Sequence, residues 1–150
     1  MIIYQKDAQN IVTLTIDGSD EHQFNAVCED FFVDLNLHLN TIKKDKSAKG
    51  VILTSKRRSF LTGSDLDTIY KINEAQEAFD FVERRKKVLR KLENLTIPVV
   101  ATINGDATGS GMEVVLACHH SIVKSSKEHK YGLPEVNFGV LPALGGEIIS

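Results

Sequence analysis

The chain has 150 residues, 42% of them hydrophobic, which suffices for one ordinary core and makes residues 1–150 a single domain. Its net charge of −2, without a clustered basic surface signature, argues against nucleic acid as a partner. Cys28 and Cys118 form neither a metal spacing nor a disulfide framework, Met1 to Asp7 is too short and polar for a signal peptide, and no apolar run approaches the ~18 residues of a membrane span, so a cytoplasmic protein is expected.

In chain order, Ile2 to Tyr4 and Ile11 to Ile16 are β-branched and apolar, and Asp17-Gly18-Ser19 stops them, which predicts a strand pair. From Asn25 to Ile42, apolar residues recur at helical spacing (Val27, Phe31, Leu35, Leu39, Ile42), with Asn25 as the expected N-cap and Lys43-Lys44 suited to the C-terminus. Val51 to Thr54 predicts a short buried strand, and Asp65 to Ile72 a short helix after the Gly63 turn. Glu74 to Leu95 predicts a long amphipathic helix burying Phe81, Val88, Leu89, Leu92 and Leu95, with Glu83 to Lys91 mostly solvated and Phe79 and Phe81 in the core. Pro98 opens a strand over Val99 to Ile103, Gly109 to Cys118 is a helix, Ser121 to Lys124 a strand, and Gly145 starts an interrupted helix. His119 and His120 are expected to end a helix and pack. The β, α, β, α, β, α, β order, free of internal repeats, implies a parallel α/β sheet.

The region from Pro98 to Gly146 carries the chemistry. A buried strand runs into a small-residue turn (Gly105, Gly109, Gly111), which opens a helix with Glu113 one turn inside; Glu135 follows Pro134 in a loop. Backbone amides at such a turn can bind developing negative charge, and two nearby carboxylates can divide acid and base work. Competing motifs fail. Met112-Glu113 stands where a phosphate loop needs Lys and a hydroxyl residue, and Val114 where a dinucleotide fingerprint needs Gly or Ala. Thr108 and Met112 flank Ser110 where a serine-nucleophile elbow needs glycines. Taken singly, the glycines could serve tight helix packing, Glu113 a helix end, and Glu135 an ordinary loop. Lys56-Arg57-Arg58, taken alone, is a solvated basic loop.

The blocks from Pro98 to Glu113 and from Gly132 to Gly146, together with Lys49 to Ser55 and the loop Ser59-Phe60-Leu61-Thr62-Gly63-Ser64-Asp65-Leu66, resemble the enoyl-CoA hydratase/isomerase (crotonase) family. Within it, Ala117-Cys118-His119 and Gly132 to Val136 look most like the hydratase half of multifunctional α-subunits of fatty-acid oxidation. The resemblance covers roughly Ile11 to Gly146. Five features depart from it: Ser64 replaces the usual Ala, Ser110 the middle Gly of a triple-glycine turn, and Glu113 and Glu135 lie 22 residues apart, slightly more than usual, which implies a longer loop through Ser125 to Lys130. Asp67 stands where a Lys is frequent, and Gly-Gly-Glu-Ile-Ile-Ser replaces the usual final Gly-Gly-Thr-Gln-Arg.

The resemblance implies a crotonase-like ββα-spiral, and reversible syn hydration of a trans-2-enoyl-CoA to a 3-hydroxyacyl-CoA. It places the thioester oxygen between the backbone amides of Ser64 and Ser110. Glu113 then activates the water that attacks C3, and Glu135 delivers a proton to C2. It further implies coenzyme A or substrate contacts at Arg58, Leu61, Gly63, Asp65, Leu66 and Gly109. The partner is an acyl-CoA thioester, with a homo-oligomer expected. Coenzyme A belongs to the substrate and no metal or separate cofactor is expected; NAD would enter only with a dehydrogenase half. A Δ3,Δ2-enoyl-CoA isomerase, another acyl-CoA enzyme such as a thioester hydrolase, and a non-catalytic domain are the alternatives. Ending at Ser150, the chain reads as a C-terminally truncated core, expected to expose apolar surface, to self-associate and to hydrate poorly.

Overall fold

The computed structural model describes residues 2–18, 25–64 and 69–145. Its main sheet has five strands: β1 (Ile2–Lys6), β2 (Ile11–Ile16), β4 (Gly50–Ser55), β6 (Val99–Ile103) and β8 (His120–Val123), in the order β1-β2-β4-β6-β8. β1 runs antiparallel to β2, and the other neighbours are parallel. Alternation sets the faces: Val12, Leu14 and Ile16 of β2, Val51 and Leu53 of β4, and Val99, Ala101 and Ile103 of β6 are buried. The intervening Thr13, Thr15, Thr54 and Thr102 leave the opposite face half-buried.

Helix α1 (Glu29–Lys44) buries Phe31, Phe32, Leu35, Leu39 and Ile42, with Glu29 and Asp30 in its first turn and Lys43 and Lys44 in its last, matching the macrodipole. It starts later than its apolar spacing predicts. Ala26–Val27 is instead a strand, β3, parallel to β5 (Thr62–Ser64), with Val27 paired to Ser64. Asn25 is therefore not an N-cap. It is buried: its Nδ2 donates to Ser55 Oγ (2.8 Å) and the Phe60 carbonyl (3.2 Å), and its Oδ1 accepts from the Gly18 amide (2.9 Å). A buried amide with three such bonds outweighs local capping preference.

Helix α2 (Ala75–Glu93) buries Val88, Leu89 and Leu92 as expected, while Leu95 beyond it is partly buried. Phe79, expected in the core, is exposed, and Phe81 is half-buried beneath a cation. That cation, Arg85, lies in the segment expected to be solvated, yet it is 2% exposed. Its guanidinium sits 3.2 Å from the Phe81 ring centroid and pairs with Glu29 at 2.9 Å, joining α2 to the start of α1. Burial pulls its pKa down against the pull of Glu29. The helix expected over Asp65 to Ile72 lies partly outside the described residues; Ile69 and Tyr70 are helical and exposed.

Four short strands escape the sequence pattern, two in the β3–β5 pair and two in the pair of β7 (Ala107–Thr108) and β9 (Tyr131–Gly132). Two or three residues are too few for periodicity to register. Helix α3 (Ser110–Leu116) follows β7, and a 3₁₀ turn covers Glu135–Phe138. His119 and His120 do not pack as expected, since both are exposed and His120 begins β8; His119 is instead anchored by hydrogen bonds, its Nδ1 accepting from the Val99 amide (3.0 Å) and its Nε2 contacting the Glu93 carbonyl (2.8 Å). Burial pushes the Cys118 thiol up to about 12, so it stays protonated and inert at neutral pH. No helix is long and apolar enough to cross a membrane among the described residues.

β8 is an edge strand exposed along its whole length, with Ile122 and Val123 at 64% and 45%. Such an apolar edge offers unpaired backbone groups to another chain. The isolated chain is therefore expected to self-associate, which sedimentation velocity checks; a concentration-independent monomer would contradict this.

Candidate active site

The site is built where β5 meets the turn into α3. The loop before β5 is tied to the turn by backbone bonds: Phe60 and Leu61 amides donate to the Asp106 carbonyl (2.9 and 3.1 Å), and the Thr108 amide donates to the Leu61 carbonyl (3.1 Å). Asn104 Nδ2 reaches the Ser55 and Arg57 carbonyls and fixes the strand ends from which both loops leave. Two glycines make this approach possible. A Cβ on Gly105 would stand 1.8 Å from the Arg58 carbonyl oxygen, and one on Gly111 would stand 2.1 Å from the Leu61 oxygen. Both obstacles are backbone and cannot swing aside. Gly111→Ala is thus expected to destabilise the fold by about 1–3 kcal/mol or more, read as a lower urea midpoint; an unchanged midpoint would show that the β5 loop is free to yield.

Gly109 has φ +57° and ψ −133°, a conformation glycine adopts without strain. Its amide donates to the Gly132 carbonyl (3.0 Å), and its carbonyl accepts from the amides of Met112 and Glu113 (2.8 and 3.1 Å). The next amides, of Ser110 and Gly111, donate to no backbone carbonyl among the described residues. That is the ordinary condition of a helix's first turn. It leaves the Ser110 N–H available to a ligand.

Glu135 approaches the same glycine. Its Oε1 lies 3.1 Å from the position a Gly109 Cβ would take, so the missing side chain makes room for the carboxylate. Its Oε2 is buried without a hydrogen-bond partner among the described residues. A carboxylate oxygen that has lost water without gaining a donor is costly in a purely structural role, and such atoms in native folds call for an explanation. Glu113, one turn into α3, is 2% exposed, and its Oε1 accepts from the Leu144 amide at 2.7 Å. A space of about 10 Å³ remains beside it, bounded by Leu89, Arg90, Glu93, Ala117 and Leu144. That is near the lower limit for one water molecule.

Ser64, the last residue of β5, and Ser110, the first of α3, face each other with their hydroxyl oxygens 2.9 Å apart. Gly63 is also at hand, its Cα 3.4 Å from the Gly109 Cβ position. The fold thus brings Gly63, Ser64, Gly109, Ser110, Glu113 and Glu135 around one turn. Leu61 is adjacent but fully buried, so its side chain is core and its carbonyl is spent on Thr108. Asp65 and Leu66 lie outside the described residues.

The basic run divides. Lys56 and Arg57 both pair with Asp17 at 2.9 Å, and this, led by the Lys56 hydrogen bond, holds the Asp17 carboxyl below its ordinary range. Arg58 is exposed and makes no ion pair with the described residues. Sequence reasoning missed three contributors. Leu144 and Gly132 act through backbone groups and carry no side-chain signal. Asn25 holds the β5 loop and was legible only as a polar residue ahead of a helix.

A family model described as Enoyl-CoA hydratase/isomerase matches residues 6–149. The fatty acid oxidation complex subunit alpha of Shewanella frigidimarina is 37% identical over 137 residues, which are 91% of this chain and 19% of that protein. Its counterpart from Idiomarina loihiensis is 32% identical over 141 residues, 93% of this chain and 20% of that protein. The chain therefore spans only 19–20% of these relatives' length. Among solved structures, an enoyl-CoA hydratase from Bacillus anthracis superposes with a TM-score of 0.87 at 28% identity, over 99% of this chain and 56% of that one. Pseudomonas aeruginosa DspI shares the fold, with a TM-score of 0.86 at 23% identity over 99% of this chain and 58% of that one.

Proposed function

The chain belongs to the enoyl-CoA hydratase/isomerase family and has the crotonase fold, and on that premise we propose that it is an acyl-CoA enzyme domain performing syn hydration of a trans-2-enoyl-CoA. The observation that carries this reading is the Glu135 carboxylate set against Gly109, beside the Ser64–Ser110 pair at the start of the helix that carries Glu113. In this reading the thioester oxygen lies between the Ser64 and Ser110 amides. Their donation draws electrons from the conjugated double bond and makes C3 electrophilic. Glu113, fixed by the Leu144 amide, orients and deprotonates the attacking water. Glu135, whose Oε2 meets no donor among the described residues, enters the step as the carboxylic acid and delivers its proton to C2, and the proton that Glu113 takes from water restores the pair for the next turnover. Water is consumed whole: hydroxide adds at C3 and a proton at C2, with no redox partner needed.

Arg58, exposed and without an ion pair among the described residues, is suited to a coenzyme A phosphate. In this reading the reaction belongs to the oxidation of fatty acyl thioesters, which is supported by relatives named fatty acid oxidation complex subunit alpha, and its expected setting is a cytoplasmic homo-oligomer. Isomerisation is the second reading. It is favoured by the hydrogen bond that already engages Glu113, since a one-carboxylate reaction could run on Glu135 alone. Supplying trans-2-enoyl-CoA and trans-3-enoyl-CoA separately tests the choice. Hydration of the 2-enoyl thioester to the 3-hydroxy product is expected; conversion of the 3-enoyl thioester alone would replace hydration by isomerisation.

A further inference from the structure

The two serines do more than carry amides. Their hydroxyls form a direct hydrogen bond between β5 and α3, at the two residues that flank the site, and both are partly buried. A hydroxyl has one proton to give and two lone pairs to receive. In a pair, one hydroxyl spends its proton on its neighbour, and the neighbour keeps its own. Among the described residues neither serine side chain makes any other hydrogen bond, so that remaining proton has no acceptor among them. In a partly buried pair that O–H is left to solvent, and a ligand oxygen that displaces the water can take the bond.

We propose that the Ser64–Ser110 hydroxyl pair is a third hydrogen-bond donor to the acyl thioester oxygen, added to the two backbone amides. This rests on the hydratase reading above. Because either hydroxyl can be the outward donor, the pair can follow the oxygen as it moves from carbonyl to enolate. Attack at C3 moves charge onto that oxygen, so the donor bonds more strongly in the transition state than to the substrate and lowers the barrier. No proton is transferred to the oxygen at any stage. The pair also ties β5 to α3, which holds the two amides at one separation before substrate binds.

Ser64→Ala, Ser110→Gly and the double variant test this, with two readouts. The first is kcat for crotonyl-CoA. The second is the enolate absorbance of bound acetoacetyl-CoA, a thioester that ionises on the enzyme only if its oxygen is stabilised. Each single variant is expected to lower kcat by roughly tenfold, the scale of one hydrogen bond. Each should also reduce the enolate fraction, with the probe's Kd nearly unchanged as a check that the fold persists. The double variant should be no worse than the poorer single, since two residues acting as one unit are non-additive. Single variants with wild-type kcat and enolate signal, in a wild type that shows both, would overturn the proposal and leave the hydratase reading standing. Faster variants would show that the hydroxyls only crowd the site. A wild-type chain that neither hydrates the substrate nor ionises the probe would remove both.

Discussion

Glu135→Gln and Glu113→Gln are each expected to lower kcat for enoyl-CoA hydration by about 10²–10⁴-fold, the usual contribution of a general acid or base. The two substitutions leave the fold nearly untouched, for different reasons. At Glu113 the Gln carbonyl oxygen can keep the bond from the Leu144 amide, so the Leu144 loop remains seated. At Glu135 the Oε2 position has no donor to lose, although an amide placed there brings its own unsatisfied hydrogens and a modest stability cost. Substrate binding should be preserved, so the loss falls on kcat rather than KM. Steady-state assays on folded variants check this. Either variant hydrating at the wild-type rate would remove that residue from the chemistry, and a Glu113 variant alone retaining activity would favour isomerase-type, one-carboxylate catalysis.

Ser110→Pro is expected to cost roughly 2.7–4 kcal/mol of transition-state stabilisation, the measured range for losing one oxyanion donor. Proline is tolerated in the first position of a helix because the N–H it lacks has no intrahelical partner there. Ser110 occupies that position, and its amide donates to no described backbone carbonyl. The substitution therefore deletes the donor with little damage to α3. It also removes the hydroxyl, so Ser110→Gly is the proper reference: the further fall from Gly to Pro isolates the amide. A Pro variant as active as the Gly variant, with unchanged thermal stability, would show that the Ser110 amide does not meet the thioester.

Much of this arrangement was legible before the fold was known, because it is written in long apolar patterns and in motifs with fixed spacing. The alternation in β2 and the apolar stripe of α1 identify elements whose stability comes from one buried face. Glu113 and Glu135 stand out in the sequence because each sits beside glycine or proline residues within the blocks that resemble the family. What escaped was held by tertiary contacts. Asn25 looks like a cap from its neighbours, yet Ser55, Ser59 and Phe60, distant in sequence, decide its role. Arg85 looks like one of several solvated cations in α2, and only the placement of Phe81 and Glu29 makes it a buried one. Phe79 fails in the opposite direction: its hydrophobicity is real, but the helix turns it outward. The Ser64–Ser110 bond joins two positions whose departures from the family pattern seemed unrelated, and the fold shows them to be one feature.

Product analysis in heavy-oxygen water tests the central claim most directly. Crotonyl-CoA is incubated with the protein in isotopically labelled water, and the thioester is recovered and weighed by mass spectrometry. The account predicts a 3-hydroxybutanoyl-CoA carrying the heavy oxygen on C3, formed by the wild type and strongly suppressed in Glu135→Gln. Unlabelled, unchanged crotonyl-CoA recovered from a folded, acyl-CoA-binding wild type would contradict it.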